Sequence, residues 1–117
     1  MRKFTLIAAF FFAATIAFSQ TPLTVAVDFT ATDTEGVEHN LFDILAGGQY
    51  VCIDFFFTTW SSCQSTAPML SEAYELFGCN TADLFVISVN DGDTDAECIQ
   101  FDLSFGIDFP CISGVEG

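Results

Sequence analysis

Basic residues are almost absent from this sequence. Only two of its 117 residues are Lys or Arg, and both stand at the extreme N-terminus as Arg2 and Lys3. The rest of the chain carries sixteen Asp and Glu and a single histidine, His39. A chain of this charge repels phosphate groups, which excludes nucleic acid as a partner and makes anionic membrane surfaces equally unfavourable.

Closely spaced cysteines are also missing. The five cysteines, Cys52, Cys63, Cys79, Cys98 and Cys111, follow one another at intervals of 11, 16, 19 and 13 residues, so there is no CxxC motif. This spacing argues against a zinc site and against a conventional dithiol site, and no metal or other cofactor is expected. Because the count is odd, at least one thiol is free or pairs outside the chain.

The first 19 residues have the pattern of a secretory signal peptide. The two basic residues precede an apolar run over residues 4–18, and Ala17 and Ser19 have the spacing that signal peptidase prefers. An uncleaved anchor is the alternative, although the run is short for a membrane span. We therefore predict a signal peptide at 1–19, one domain at 20–117, and an exported protein, periplasmic or secreted, that is free of the membrane after cleavage. Such a compartment permits disulfides.

Hydrophobic patterning predicts alternating strands and helices. Residues 50–57 form an almost continuous apolar run, which is typical of a strand buried on both faces of a parallel sheet. The elements predicted after it are a helix at 64–76, a strand at 83–89, a helix at 95–105 behind a Thr94–Glu97 capping box, and an extended segment at 107–113. This order predicts an α/β domain of βαβαβ type with a central, mostly parallel sheet.

The segment DFFFTTWSSCQSTAPML resembles the active-site segment of thioredoxin-like proteins, including the TlpA-like and alkyl hydroperoxide reductase/TSA redoxins. Asp54 matches their strand aspartate, Cys63 matches the second cysteine of their CxxC, and Pro68 matches the proline that kinks their first helix. AVDFTATDTEGVEHNLFDIL and FGIDFP resemble further redoxin segments, so the resemblance covers roughly residues 26–113. It implies a thioredoxin-like fold.

Two departures from the family pattern affect this resemblance. Trp60 stands where the family has its nucleophilic first cysteine, and the chain ends before the strand that the family introduces with a cis-proline. The domain at 20–117 is therefore expected to be incomplete and to lack the C-terminal strands. A fragment, a truncated gene product and an edge completed by another chain all stay open.

The redox chemistry that the resemblance implies depends on Cys63. A helix N-terminus favours a thiolate, so Cys63 is the candidate nucleophile, with an inert buried thiol as the equal alternative. Peroxiredoxins also keep a cysteine at this position, but within TxxC and with an arginine. The threonine is missing at that spacing and residues 20–117 contain no arginine, which weakens a peroxidase activity. Cys98 is the favoured resolving partner, and Cys79 and Cys111 are further candidates for a resolving or structural disulfide.

Other polar and aromatic residues each allow two interpretations. Asp54 is either a general base beside Cys63 or a buried aspartate satisfied by backbone or water. Trp60 is either a substrate-facing platform or a side chain packed over the site. The acidic segment at 91–97 begins like a calcium loop but lacks its glycine and final glutamate, which favours a helix N-terminus rich in acids. His39 is expected at the surface.

Taken together, the sequence predicts an exported thioredoxin-like redoxin of thiol-disulfide oxidoreductase or antioxidant ancestry. Its partners would be protein or small-molecule thiols and disulfides. A non-catalytic thioredoxin-fold binding module, or the N-terminal part of a longer secreted protein, is the alternative. If active, the protein would be a thiol-disulfide oxidoreductase or a peroxidase-like enzyme.

Overall fold

A computed structural model describes residues 23–117, and the predicted signal peptide at 1–19 lies outside them. The predicted α/β class and the order of the elements are confirmed. The helices and strands are β1 (Thr30–Thr32), β2 (Glu38–Asn40), α1 (Leu41–Ala46), β3 (Tyr50–Phe56), α2 (Ser61–Leu76), β4 (Leu84–Asn90), α3 (Asp95–Phe105) and β5 (Cys111–Ile112).

The main sheet is parallel, with strand order β3–β4–β5. β3 runs along the whole of β4, from Tyr50 opposite Leu84 to Phe56 opposite Asn90. Both crossovers step in the same direction across the sheet, so right-handed connections place α2 and α3 on the same face. β1 and β2 form a separate antiparallel hairpin before α1.

The core lies between this sheet and the two helices. Val86 and Cys98 are completely buried there, and Phe56 and Phe101 stack with ring centroids 5.0 Å apart. The buried residues that make up the core are Phe56, Ala67, Val86, Cys98, Phe101, Ile107, Phe109 and Cys111. Burial of this apolar surface is the main force that holds both helices on the sheet.

The prediction that residues 50–57 are buried on both faces is wrong. Tyr50 and Phe55 are 76% and 75% exposed. Within the described residues β3 pairs with β4 alone and so forms one edge of the sheet, whereas β4 has neighbours on both sides and holds the most buried strand residues. The apolar run predicted the strand correctly but not its position in the sheet.

The ends of the helices follow local chemistry. α2 begins at Ser61, three residues before the predicted start. α3 begins with the predicted capping box, in which Thr94 and Glu97 each bond the other's backbone, and it ends at Gly106 with φ of 65°. None of the described helices has the length and apolarity needed to span a bilayer.

His39 is not at the surface as expected. Its side chain is 12% exposed, its Nε2 lies 2.7 Å from Oδ2 of Asp33, and its ring meets that of Phe85 edge-on at 5.7 Å. Burial alone raises the pKa of Asp33, but hydrogen bonds from His39 and from the N–H groups of Val37 and Glu35 bring the pKa below its usual value. The ion pair lies within the β1–β2 hairpin, and the contact of His39 with Phe85 joins the hairpin to the sheet.

Candidate active site

Cys63 lies at the junction between β3, the most exposed strand of the sheet, and α2. β3 ends at Phe56, and residues 57–63 form what we call the Cys63 turn, which includes the first three residues of α2. Cys63 is partly exposed, and its other side packs on the core. The first N–H groups of a helix lack intrahelical partners, and Trp60 provides no side-chain cap, so this position favours a negative charge.

A polar network holds the Cys63 turn against the end of β4. Oδ2 of Asp93 accepts hydrogen bonds from the N–H of Thr58 at 3.0 Å and from Nδ2 of Asn90 at 2.7 Å. The same amide of Asn90 donates to the carbonyl of Phe56 at 3.2 Å, and Oδ1 of Asn90 accepts from the N–H of Asp93. The carboxyl ends of two adjacent parallel strands are thereby tied together.

Asn90 and Asp93 hold the Cys63 turn in place, a role that sequence reasoning did not assign to them. Hydrogen bonds from Thr58 and then Asn90 hold the pKa of Asp93 below its usual value, so this acid is a charged acceptor at neutral pH. The polar residues at the end of β4 could have indicated this role. The carboxyl ends of adjacent parallel strands lie at the same edge of the sheet, so residues that follow β4 lie near those that follow β3. Within residues 23–117 no cluster of three potential metal ligands occurs.

Asp54 lies in β3 opposite Ser88, on the same strand face as Phe56, which is part of the core. Burial raises the pKa of Asp54 above its usual value. A carboxylate of raised pKa accepts a proton more readily near neutral pH than an ordinary aspartate does. This property suits a general base, and it is equally what partial burial produces without any catalytic role.

Trp60 is exposed and forms part of an aromatic surface beside the Cys63 turn. Its side chain is 57% exposed and its ring lies 4.8 Å from that of Phe57. Phe55, on the outer strand, continues this surface. The three aromatic side chains line a depression of about 480 Å³, completed by Phe56, Val89, Asn90 and Asp91. Trp60 therefore has room for a ligand on its free side.

The remaining predicted cysteines lie in two different places. Cys79 is exposed and follows the far end of α2, about 20 Å from Cys63 by helix rise. Cys98 and Cys111 are both buried in the core, close enough that each thiol changes the pKa of the other. All five cysteines lie within the described residues, and all are free thiols.

Comparison with known proteins connects this arrangement to a family of redox proteins. The sequence profile of the AhpC/TSA family matches residues 22–117. The thiol-disulfide oxidoreductase ResA of Geobacillus kaustophilus is 30% identical over 87 residues, which is 74% of this chain and 48% of that protein. The chain therefore spans about half the length of the curated relatives it matches.

Solved structures show the same fold. The thioredoxin domain of a thiol-disulfide oxidoreductase from Bacteroides vulgatus matches with a TM-score of 0.67 at 22% identity, covering 81% of this chain and 65% of that structure. A secreted disulfide oxidoreductase from Mycobacterium tuberculosis matches with a TM-score of 0.59 at 17% identity, covering 73% and 59%. The predicted thioredoxin-like fold is confirmed, and the chain belongs to the AhpC/TSA family.

Proposed function

We propose that this protein is an exported redoxin that exchanges disulfides through the single thiol of Cys63. The observation that supports it best is the position of Cys63: partly exposed, in the first turn of α2, on a turn that Asp93 and Asn90 hold in place. The N–H groups at the start of α2 that lack intrahelical partners lie beside the thiol that would attack a disulfide.

The proposed reaction needs one protein cysteine and an external thiol. The thiolate of Cys63 attacks a disulfide R–S–S–R′, so that a Cys63–S–S–R bond forms and R′–S⁻ leaves. A second external thiolate R″–S⁻ then attacks sulfur R, which releases R–S–S–R″ and restores the thiolate of Cys63. One external thiol replaces the resolving cysteine, since Trp60 occupies the position of the partner in a CxxC motif.

The charge of the chain limits which disulfides can approach. All sixteen Asp and Glu lie in residues 23–117, which contain no Lys or Arg. The resulting negative field repels anionic disulfides and attracts cationic ones, most strongly at low ionic strength. Neutral or cationic disulfides are therefore the proposed substrates, with the aromatic surface of Phe55, Phe57 and Trp60 contacting their apolar parts.

The test is mixed-disulfide formation in the native protein, followed by mass spectrometry. A Cys79→Ser variant removes the exposed thiol at the far end of α2 and serves as the background for all measurements. Cystamine, a dication, should modify Cys63 faster than oxidised glutathione, and the difference should shrink as salt is added. Adding Cys63→Ser should abolish the adduct.

A binding role without catalysis is the second candidate, and the exposed aromatic surface favours it. Phe55 is 75% exposed and Trp60 is 57% exposed. Neighbouring exposed aromatic side chains of this kind mark surfaces where a partner binds. If Cys63 forms no adduct until denaturant is added, the exchange activity is excluded and the binding role becomes the better account. Adduct formation in the native state supports exchange.

A further inference from the structure

The two buried thiols of the core face each other across the interface between α3 and β5. Cys98 is completely buried and Cys111 is 1% exposed. Cys98 lies on the same face of α3 as Phe101, the other buried residue of that helix. Cys111 is opposite Ser88 in the sheet, and Ser88 is two residues from the core residue Val86, so all three point toward the helices.

The two thiols are also neighbours. Both belong to the core cluster where α3 packs on β5, and each changes the pKa of the other. Two neighbouring buried thiols need only a modest approach to reach the S–S bond length of about 2.05 Å.

From this contact we propose that Cys98 and Cys111 are the site of a disulfide that covalently fastens α3 to β5 when the protein meets a disulfide oxidant. β5 has only two residues, Cys111 and Ile112, and few strand hydrogen bonds hold it. The bond would close a loop across the turn at Gly106. It does not involve Cys63, so it holds whether or not Cys63 is reactive.

The chemistry balances with a small-molecule disulfide as the oxidant. The thiolate of Cys111 attacks R–S–S–R, forming Cys111–S–S–R and releasing R–S⁻. The thiolate of Cys98 then attacks the sulfur of Cys111, forming the Cys98–Cys111 bond and releasing a second R–S⁻. The two cysteines lose two electrons and two protons, and the oxidant is reduced to two thiols.

Burial makes this reaction slow in the folded protein. It raises the pKa of Cys111 to about 11 and raises that of Cys98 further. Thiolate is therefore scarce until the chain opens or before it has folded. We accordingly expect the bond to form as the chain folds in an oxidising compartment, and to be resistant to reductant afterwards.

Peptide mapping of the full chain tests the proposal. The protein is refolded with oxidised glutathione, its remaining thiols are alkylated in denaturant, and it is digested without reduction. Trypsin has no site after Lys3, so proteases that cleave at Asp and Glu are used; cleavage at Asp102 or Asp108 leaves the two cysteines on peptides joined only by the disulfide. The expected result is a Cys98–Cys111 peptide pair and three alkylated cysteines, the five less the two in the bond.

Thermal unfolding gives a second readout. The oxidised protein should melt about 5 °C or more above the protein kept in reductant, since the bond restricts the unfolded chain. Cys98→Ser and Cys111→Ser should lose this difference, while Cys63→Ser and Cys79→Ser should keep it. Five alkylated cysteines after oxidative refolding would overturn the proposal. A peptide joining Cys63 to Cys98 would also overturn it and would instead identify Cys98 as the resolving cysteine.

Discussion

The Cys63 turn and the Cys98–Cys111 pair place the same functional group in opposite surroundings. Cys63 is partly exposed at the start of a helix, on a turn bonded to a charged aspartate. Cys98 and Cys111 are sealed in the core, where burial raises both pKa values. Under the two proposals, the location of a thiol decides whether it reacts with a substrate or crosslinks the core.

Two aspartates repeat this contrast. Asp93, beside the Cys63 turn, accepts hydrogen bonds from Thr58 and Asn90 that lower its pKa. Asp102, on α3, has its pKa raised to about 7 by burial and by the nearby charge of Asp108, and its Oδ1 is buried without a partner among the described residues. Ionisation therefore stabilises the fold at one end of the domain and destabilises it at the other.

The largest expected effect is on stability, and it distinguishes a core aromatic residue from one on the exposed aromatic surface. Phe101→Ala should lower the free energy of unfolding by about 3–5 kcal/mol, because it leaves a cavity beside Phe56 and Phe105. Phe55→Ala, a matched truncation of an exposed ring, should change it by less than about 0.5 kcal/mol. Urea unfolding measures both. Equal losses would show that Phe55 is packed and not available to a ligand.

Loosening the network at the Cys63 turn should have the next largest effect. Asp93→Ala should cost about 1.5–3 kcal/mol at pH 7, because two donors lose a charged acceptor. Since the folded pKa of Asp93 is lowered, its contribution is present above the unfolded pKa of 3.8 and is lost as the pH falls through the folded value. Unfolding at pH 7 and pH 2 measures this.

Alkylation gives the control for that prediction. Asp93→Ala should also change the alkylation rate of native Cys63, while Asp91→Ala, which alters an exposed neighbouring acid, should not. An unchanged rate in Asp93→Ala would mean that the network stabilises the domain without positioning the thiol.

Asp102 should show the opposite dependence on pH. Its folded pKa of about 7 is above the unfolded 3.8, so the folded state binds more protons in that interval and stability falls as pH rises from about 4 to 7. Asp102→Asn should stabilise the protein by about 2 kcal/mol at pH 8 and leave it nearly unchanged at pH 4. Asp108→Asn should give a smaller gain. Equal stabilisation at both pH values would contradict a role for ionisation.

The smallest expected effect is at the start of α3. Thr94→Ala removes the side chain that caps the N–H of Glu97 and should cost about 1 kcal/mol. Because α3 contributes Cys98 to the core, the loss should appear in urea unfolding while native alkylation of Cys63 stays unchanged. A change in Cys63 labelling would show that the two regions are coupled.

Much of the fold could be predicted because its signals are local. The capping box of Thr94 and Glu97, the glycine at position 106 and the apolar runs fix the helices and strands within a few residues. The burial of β3 could not be predicted, because an apolar run carries no information about how many strands lie beside it. That depends on contacts across the sheet, which are not local in sequence.

The candidate site was predictable only in part. Spacing placed Cys63 and Trp60 on one turn and Asp54 on the strand before it, but it could not show that Asp93 holds this turn from the end of the next strand. The contact between Cys98 and Cys111 was equally hidden, since the two are 13 residues apart on different elements. His39 stood on a polar segment and was expected at the surface, and only the fold brought Phe85 against it.

Native-state alkylation with iodoacetamide at pH 7, with each cysteine followed by mass spectrometry on reduced protein, tests the central claim most directly. The account predicts that Cys63 is modified at least about ten-fold faster than Cys98 and Cys111, which should react only after denaturant is added. Exposed Cys79 provides the internal standard for an accessible thiol. If Cys63 is as unreactive as the two core thiols until the protein unfolds, the proposed disulfide exchange is contradicted.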